Sequence, residues 1–420
     1  MLIEFRVTNF RSFRGENRLS LLASADKDLE SSNVVTTKNT SVPRVLRAAG
    51  IYGANASGKS NLIRALQLMR GIVVESANLK PDQLFNVQPF RLDPETDKEP
   101  TEFELTFLKD GVRYQYGFAL TANRIVEEWL LVYKTKQPQT WFVREYNPKT
   151  KTDEYKFSEA HFKGSRNVWK EATRPNALFL STAIQLNSDS LKPIFDYIAQ
   201  SLVVFENGSG PMPDYTINHI ARAKSQRVRQ FLSSADISID EIALKEVKGD
   251  AHSIAIDLAT GGLTHSSHQD QNMVVPTFKH SSSKGSAVFD FTDESEGTQK
   301  LFSLAGPLFD IFERGQVLIV DELDRSLHAL LVRQLIAMFH DPEVNKSNAQ
   351  LIFTTHDTSL LDGAHLRRDQ VWFTEKDEEQ ASNIYPLTDF SPRKNEALER
   401  GYLGGRYGAV PILKRLRTDA

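Results

Sequence analysis

Cysteine is missing altogether from these 420 residues. That excludes disulfide frameworks, thiolate zinc sites, iron–sulfur clusters and cysteine nucleophiles together, and it fits a reducing cytosol without requiring one. Also missing is any apolar run near the roughly 20 residues that span a bilayer. The opening Met1-Leu2-Ile3-Glu4-Phe5-Arg6-Val7 alternates like a strand and lacks the apolar core of a signal peptide. The expectation is a cytoplasmic protein with no membrane partner. Neither sign of charge dominates: 51 Lys and Arg against 54 Asp and Glu give a formal net charge of −3. There is no whole-protein pull toward nucleic acid, although a local basic groove is invisible to such a sum. Sustained heptads are absent, which rules out a long coiled-coil arm, and no internal repeat is apparent.

What is present is the balance of an ordinary globular chain, 40% hydrophobic and 25% charged. The length exceeds the roughly 250–300 residues at which one core usually stops growing, so a large domain with an insertion, or two lobes, is expected. Leu2 to Val7 and Arg18 to Leu22 read as strands, and Ser24 to Ser41 as a polar loop. Val45 to Tyr52 is an apolar run leading into a glycine-rich turn, after which Asn61 to Leu66 begins a helical pattern. From Thr101 to Leu120 the period becomes two, with Asp110-Gly111 marking a hairpin turn. Trp129 to Lys134, Thr140 to Tyr146 and Glu154 to Phe157 continue this antiparallel region. Between about Ser158 and Ala287 helices are expected over Leu191 to Phe205 and Ile217 to Ser233, then short strands, then a polar, His/Ser-rich piece around Thr264 to Gly285, and the whole reads as an inserted, partly mobile subdomain. Val317 to Val320 and Leu351 to Thr354 are short apolar runs separated by a helical pattern, Ser326 to Phe339, the alternation of a buried parallel sheet.

The chemistry gathers on these last elements. Gly53-Ala54-Asn55-Ala56-Ser57-Gly58-Lys59-Ser60 has P-loop spacing: the glycines let successive backbone N–H groups turn inward onto a β-phosphate, helped by the N-terminus of the following helix. Lys59 is placed to neutralise the β/γ-phosphates and Ser60 to hold Mg²⁺ through its hydroxyl. A chance glycine-rich turn of this spacing has a probability on the order of one per cent in such a chain. Asp321-Glu322 ends the apolar run Val317 to Val320. Asp321 suits Mg²⁺ and Glu322 suits the attacking water, while the bland alternative is two solvated carboxylates at a strand end. His356 follows the next run, where a neutral imidazole can sense the γ-phosphate; a lone histidine is otherwise a structural or surface residue. Ser295-Glu296-Gly297 opens a helical stretch, for which a plain N-cap is the competing reading.

The order of these motifs, with Leu323-Asp324 directly after the acid pair and Val7-Thr8-Asn9-Phe10-Arg11-Ser12-Phe13 at the start, resembles the ABC-type ATPase heads of the SMC and RecF class. More narrowly the chain is similar to stand-alone bacterial AAA-family proteins of the RloA and AbiLii kind, through Tyr52 to Ser60, Pro89-Phe90-Arg91-Leu92, Asp321 to His328 and Tyr402 to Pro411. The resemblance implies an α/β fold: an ABC-like P-loop head with a mixed or parallel core sheet, an antiparallel β lobe and an inserted, mostly helical subdomain. Residues 1–157 and 288–420 would form the two parts of the head, and 158–287 the insertion. It implies ATP and Mg²⁺ as cofactors, with Asn55, Ala56, Ser57, Gly58 and Asn61 on the nucleotide. Arg11 and Ser12 would lie near the phosphates, and Gln88 is the best candidate for a Q-loop metal contact. Glu322, His356 and Lys59 would carry the catalysis.

The same resemblance implies a head-to-tail dimer in which Ser295 and Gly297 reach the nucleotide of the second copy, with Asp324 at that interface. Such ATPases are usually encoded with a nuclease or other toxic effector in anti-phage or abortive-infection systems. Related heads fused to a TOPRIM nuclease continue well beyond this length, so no such nuclease is expected here. Two rival readings stand beside this one: a RecF-like DNA-repair ATPase whose ATP-bound dimer clamps DNA, and a nucleotide-gated scaffold that barely turns over. The Arg400 to Arg417 segment, with Tyr402, Tyr407 and Lys414-Arg415, reads either as a basic solvated tail or as a contact for nucleic acid or a partner.

Overall fold

The computed structural model describes residues 1–206, 212–256, 259–261, 263–325, 327–394 and 396–411. The expected start of a helix at Ser326, and Lys414 and Arg415, lie outside them. The chain is mixed α/β. Its central sheet has six strands in the order Leu202–Phe205, Val317–Val320, Gln350–Thr354, Ala48–Gly53, Val371–Lys376 and Ser382–Pro386. The first five run parallel and the last is antiparallel. Every residue of Ala48–Gly53, Val317–Val320 and Gln350–Thr354 is buried, as befits a parallel sheet covered on both faces. Strand alternation sends Val317 and Ile319 into one apolar core and Leu318 and Val320 into another. The first core holds the helix Lys59–Glu75. The second holds Glu296–Arg314 and Ala329–His340.

A seven-stranded antiparallel sheet covers the first core, in the order Thr152–Phe157, Gln139–Asn147, Ile125–Tyr133, Val112–Leu120, Thr101–Lys109, Leu2–Thr8 and Asn17–Ser20. The Asp110-Gly111 turn is where the sequence puts it. Both residues have positive φ, 51° and 78°, the geometry of a two-residue hairpin that follows strand twist. Gln350 stitches the two sheets together: its side chain accepts from Leu2 N at 2.6 Å and donates to Leu2 O and Leu46 O at 3.0 and 2.9 Å.

Three expectations change. Leu191 to Phe205 is not one helix: helical structure ends at Ser201, and Leu202–Phe205 is a strand paired in parallel with Val317–Val320. A run of four apolar residues with two β-branched valines at its centre fits either state, and the open edge of the sheet decides it. The polar, His/Ser-rich piece, set apart from the short strands expected before it, is itself part of the strand Leu263–Ser282, paired with Glu241–Ile256 and Gly285–Asp290 in a three-stranded sheet. Within the tail, Tyr402 and Tyr407 are buried rather than solvated, against Tyr52 and Phe373. Among the described residues no helix is long and apolar enough to cross a membrane.

Candidate functional site

Parallel strands release their chains at a common carboxyl edge, and here that edge carries the motifs. Gly53 ends its strand, His356 follows the adjacent strand Gln350–Thr354, and Asp321 follows the next strand over, Val317–Val320. A cleft of about 360 Å³ opens there, lined by Ser12, Asn55 to Asn61, Arg64, Glu322, His356 and Lys376.

The loop is fixed by its supports. A Cβ on Gly53 would come within 2.5 Å of Thr374 O, and one on Gly58, at φ 119°, would strike the Ser382 side chain, so glycine is required at both. Ser57 Oγ and Thr374 Oγ1 are hydrogen-bonded at 2.6 Å. Ala56 adopts a left-handed φ of 61°. Gly58 leads into the helix Lys59–Glu75, whose first N–H groups and dipole face the cleft. The buried Lys59 ammonium donates to Gly53 O at 2.7 Å and Ala54 O at 3.1 Å. Burial lowers its pKa, an effect that Asp321, Glu322 and Asp324 oppose. Asn61 Nδ2 donates to Ser12 Oγ at 2.8 Å, bringing the N-terminal turn to the loop.

The acids are oriented by a residue that the motifs do not reveal. Thr354, fully buried at the end of the histidine strand, donates from Oγ1 to Asp321 Oδ1 at 2.7 Å and accepts the Glu322 N–H at 2.7 Å. Glu322 thereby holds a left-handed φ of 53°, which costs about 1–2 kcal/mol for a side chain of this kind. Asp321 is buried, whereas the Glu322 side chain is 40% exposed and faces the cleft. His356 N–H donates to Asp324 Oδ2 at 3.3 Å. Burial, then the nearby Lys59 charge, depresses the His356 pKa and favours the neutral ring.

Ser295, Gly297 and Gln88 are not brought to this cleft. Ser295 is an exposed N-cap whose Oγ accepts from Thr298 N at 3.2 Å, and Gly297 lies in the first turn of the same helix. Lys300, one turn on, donates to Arg325 O, so that helix start sits beside the segment following the acids. Gln88 uses its backbone carbonyl to accept from Arg11 N at 2.8 Å. The Arg11 guanidinium lies 5.7 Å from the Phe10 ring, and burial and the Arg64 charge lower its pKa. Arg64 lines the cleft and pairs with Glu206 at 2.6 Å, immediately after the strand first expected to be helical. Arg64, Glu206, Thr354, Thr374 and Lys376 are the site residues that sequence reasoning missed. Strand order and register, with the helix Lys59–Glu75 that carries Arg64, draw them together.

A glycine loop between a buried strand and a helix N-terminus, faced by carboxylates and a histidine from neighbouring parallel strands, defines a P-loop nucleotide-binding domain. Residues 48–362, well over half of the chain, match the family described as "AAA domain, putative AbiEii toxin, Type IV TA system". The chain belongs to this AAA-domain family, and membership carries ATPase activity in general and nucleotide binding, usually with Mg²⁺. No curated protein matches the chain.

Proposed function

We propose that the protein binds and hydrolyses ATP in this cleft and that ATP acts as a switch joining two copies head to tail. The observation that carries the reading is the convergence of Gly53 to Ser60, Asp321-Glu322 and His356 on one edge of adjacent parallel strands. The loop's N–H groups and Lys59 bind the β/γ-phosphates, assisted by Ser12, Asn55 and Asn61. Arg11 adds positive charge at the rim. The Ser60 hydroxyl and the Asp321 carboxylate fit a divalent ion, which takes one or two protein oxygens and completes its shell with phosphates and water. When bound, Mg²⁺ neutralises charge on the transferred phosphoryl group. Glu322, half-exposed and aimed at the cleft, accepts the proton of the attacking water. Neutral His356 hydrogen-bonds the γ-phosphate region. Gln88 is retained as a Q-loop candidate acting through its contact with the Arg11 turn.

Ser295 and Gly297 open an exposed helix start away from their own cleft, which supports their use by a second copy, with Asp324 alongside. The family description and the similarity to the RloA and AbiLii kind support control of a toxic or nuclease effector in anti-phage defence as the output of the switch. Lys59→Ala should abolish nucleotide binding. Glu322→Gln should retain binding, slow phosphate release by at least about a hundredfold and accumulate dimer in sedimentation with ATP. Undiminished turnover in Glu322→Gln removes Glu322 as the base, and a monomer under saturating ATP removes the switch.

A further inference from the structure

His356 sits where the sheet stops, so its position depends on the loop that follows it. That loop, Asp357 and the 3₁₀ turn Thr358–Asp362, is held from two sides. Asp357 Oδ1 accepts from Ser359 N at 2.9 Å, and Arg333, on the helix after the acid pair, donates to Ser359 O at 3.0 Å. On the opposite side Thr358 Oγ1 donates to Glu399 Oε1 at 2.8 Å. Glu399 belongs to the first turn of the short helix Leu398–Leu403.

The tail around Glu399 is anchored under the nucleotide loop. Tyr402 meets Tyr52, the residue before Gly53, edge-on at 6.0 Å and stacks on Phe373 at 5.3 Å. Its hydroxyl donates to Ala409 O at 3.1 Å, and Tyr407 donates to Glu396 at 2.6 Å. Gly405 and Gly408, at φ 78° and 65°, allow the chain to double back between these contacts. The tail therefore grips the phosphate-loop strand through an aromatic ring and the histidine loop through a carboxylate.

We propose that Thr358 and Glu399 are positioning residues for His356, so that the C-terminal tail sets where the imidazole stands relative to the phosphate loop. The inference rests on the reading of His356 as a γ-phosphate contact. Loss of the bond lets the two residues after His356 relax outward, while Lys59, Ser60 and the loop N–H groups keep their places. Turnover is affected and nucleotide affinity is not.

Steady-state phosphate release and direct nucleotide binding on the full chain test this. Thr358→Val and Glu399→Ala should each lower kcat about fivefold, the rate equivalent of one such bond, with KM for ATP within about twofold. The double variant should be no worse than either single one, because both remove the same bond. Thr358→Ser and Glu399→Gln, which keep the donor and an acceptor oxygen, should restore turnover. Added to His356→Ala, Thr358→Val should cost nothing further. Full turnover in Thr358→Val beside an impaired His356→Ala overturns the positioning role alone. An additional loss on the His356→Ala background overturns it as well, as does equal impairment in Glu399→Gln and Glu399→Ala, which would mark a folding defect. Full turnover in His356→Ala sinks the reading of His356 and the positioning role with it.

Discussion

Thr354→Val is the sharpest probe of how the acid pair is organised. Valine preserves shape and strand preference and deletes one hydroxyl, which serves two partners at once: it donates to Asp321 Oδ1 and accepts the Glu322 N–H, both at 2.7 Å. Thr354 and Asp321 are buried, so water cannot replace the lost bonds without rearrangement. Each group left unpaired costs about 1–3 kcal/mol. The left-handed φ of Glu322 holds about 1–2 kcal/mol of strain that persists only while its N–H is held, and its release offsets part of that cost. A stability loss of about 2–4 kcal/mol is expected, read as a shifted urea midpoint with unchanged slope. Once Glu322 relaxes its carboxylate leaves the water's position, and kcat should fall by at least about tenfold. Nucleotide affinity should change less than about threefold, because the phosphate loop is untouched. Thr354→Ser should recover most of both quantities. A Thr354→Val chain with full kcat and full stability refutes the idea that this hydroxyl orients the acids.

Two further outcomes follow from buried polar groups. Gln370 Oε1 accepts from Arg367 N and Asn33 Nδ2, which turns its Nε2 to donate to His340 Nε2 at 3.2 Å and requires a neutral imidazole. Burial lowers the His340 pKa to about 3, so below the ordinary 6.5 the unfolded chain takes a proton that the folded one refuses. Stability is full above pH 6.5 and declines toward pH 3, by an upper limit of roughly 4–5 kcal/mol. His340→Gln should flatten that acid slope in pH-dependent urea melts, and an identical slope would clear His340 of the effect. In the antiparallel sheet, Glu128 accepts from Phe179 N, Leu180 N and Tyr116 Oη and lies 3.8 Å from the buried Arg144. Glu128→Ala leaves the Phe179 and Leu180 N–H groups and the Tyr116 hydroxyl without their acceptor, while Asp153 still pairs with Arg144 at 2.9 Å; it should cost about 3–5 kcal/mol in a thermal or urea melt, whereas a loss under about 1 kcal/mol would mean water has entered.

The glycine loop, the acid pair and the histidine were legible because each motif ends or follows a short apolar run. The antiparallel hairpins were legible through period-two alternation broken by Asp110-Gly111. Leu202 to Phe205 was not, since four apolar residues carry no usable period, and with that strand misread Glu206 had no reason to be noticed. Thr354 escaped because its role is fixed by strand register, which pairs Val320 with Phe353 and so sets the threonine beside Asp321. Gln88 was chosen for its place beside Pro89-Phe90, and its backbone carbonyl holds the Arg11 turn, a contact the sequence does not reveal. The largely polar strand Leu263–Ser282 carries little apolar patterning, and it is held by its pairing and by Phe278, which is buried against Phe302.

The division of Val317–Val320 between two cores has a consequence for how the gene tolerates change. Consecutive codons here answer to different neighbourhoods: Ile319 belongs to the core that holds Leu62, Ile63 and Leu66, and Leu318 lines a cavity with Leu304 and Leu308. Second-site suppressors of Ile319→Ala should therefore map to the helix behind the phosphate loop, and those of Leu318→Ala to the helix that begins at the serine–glycine pair. Adjacent positions in the text of the gene would carry separate genetic histories, each recording one face of a wall a single strand thick.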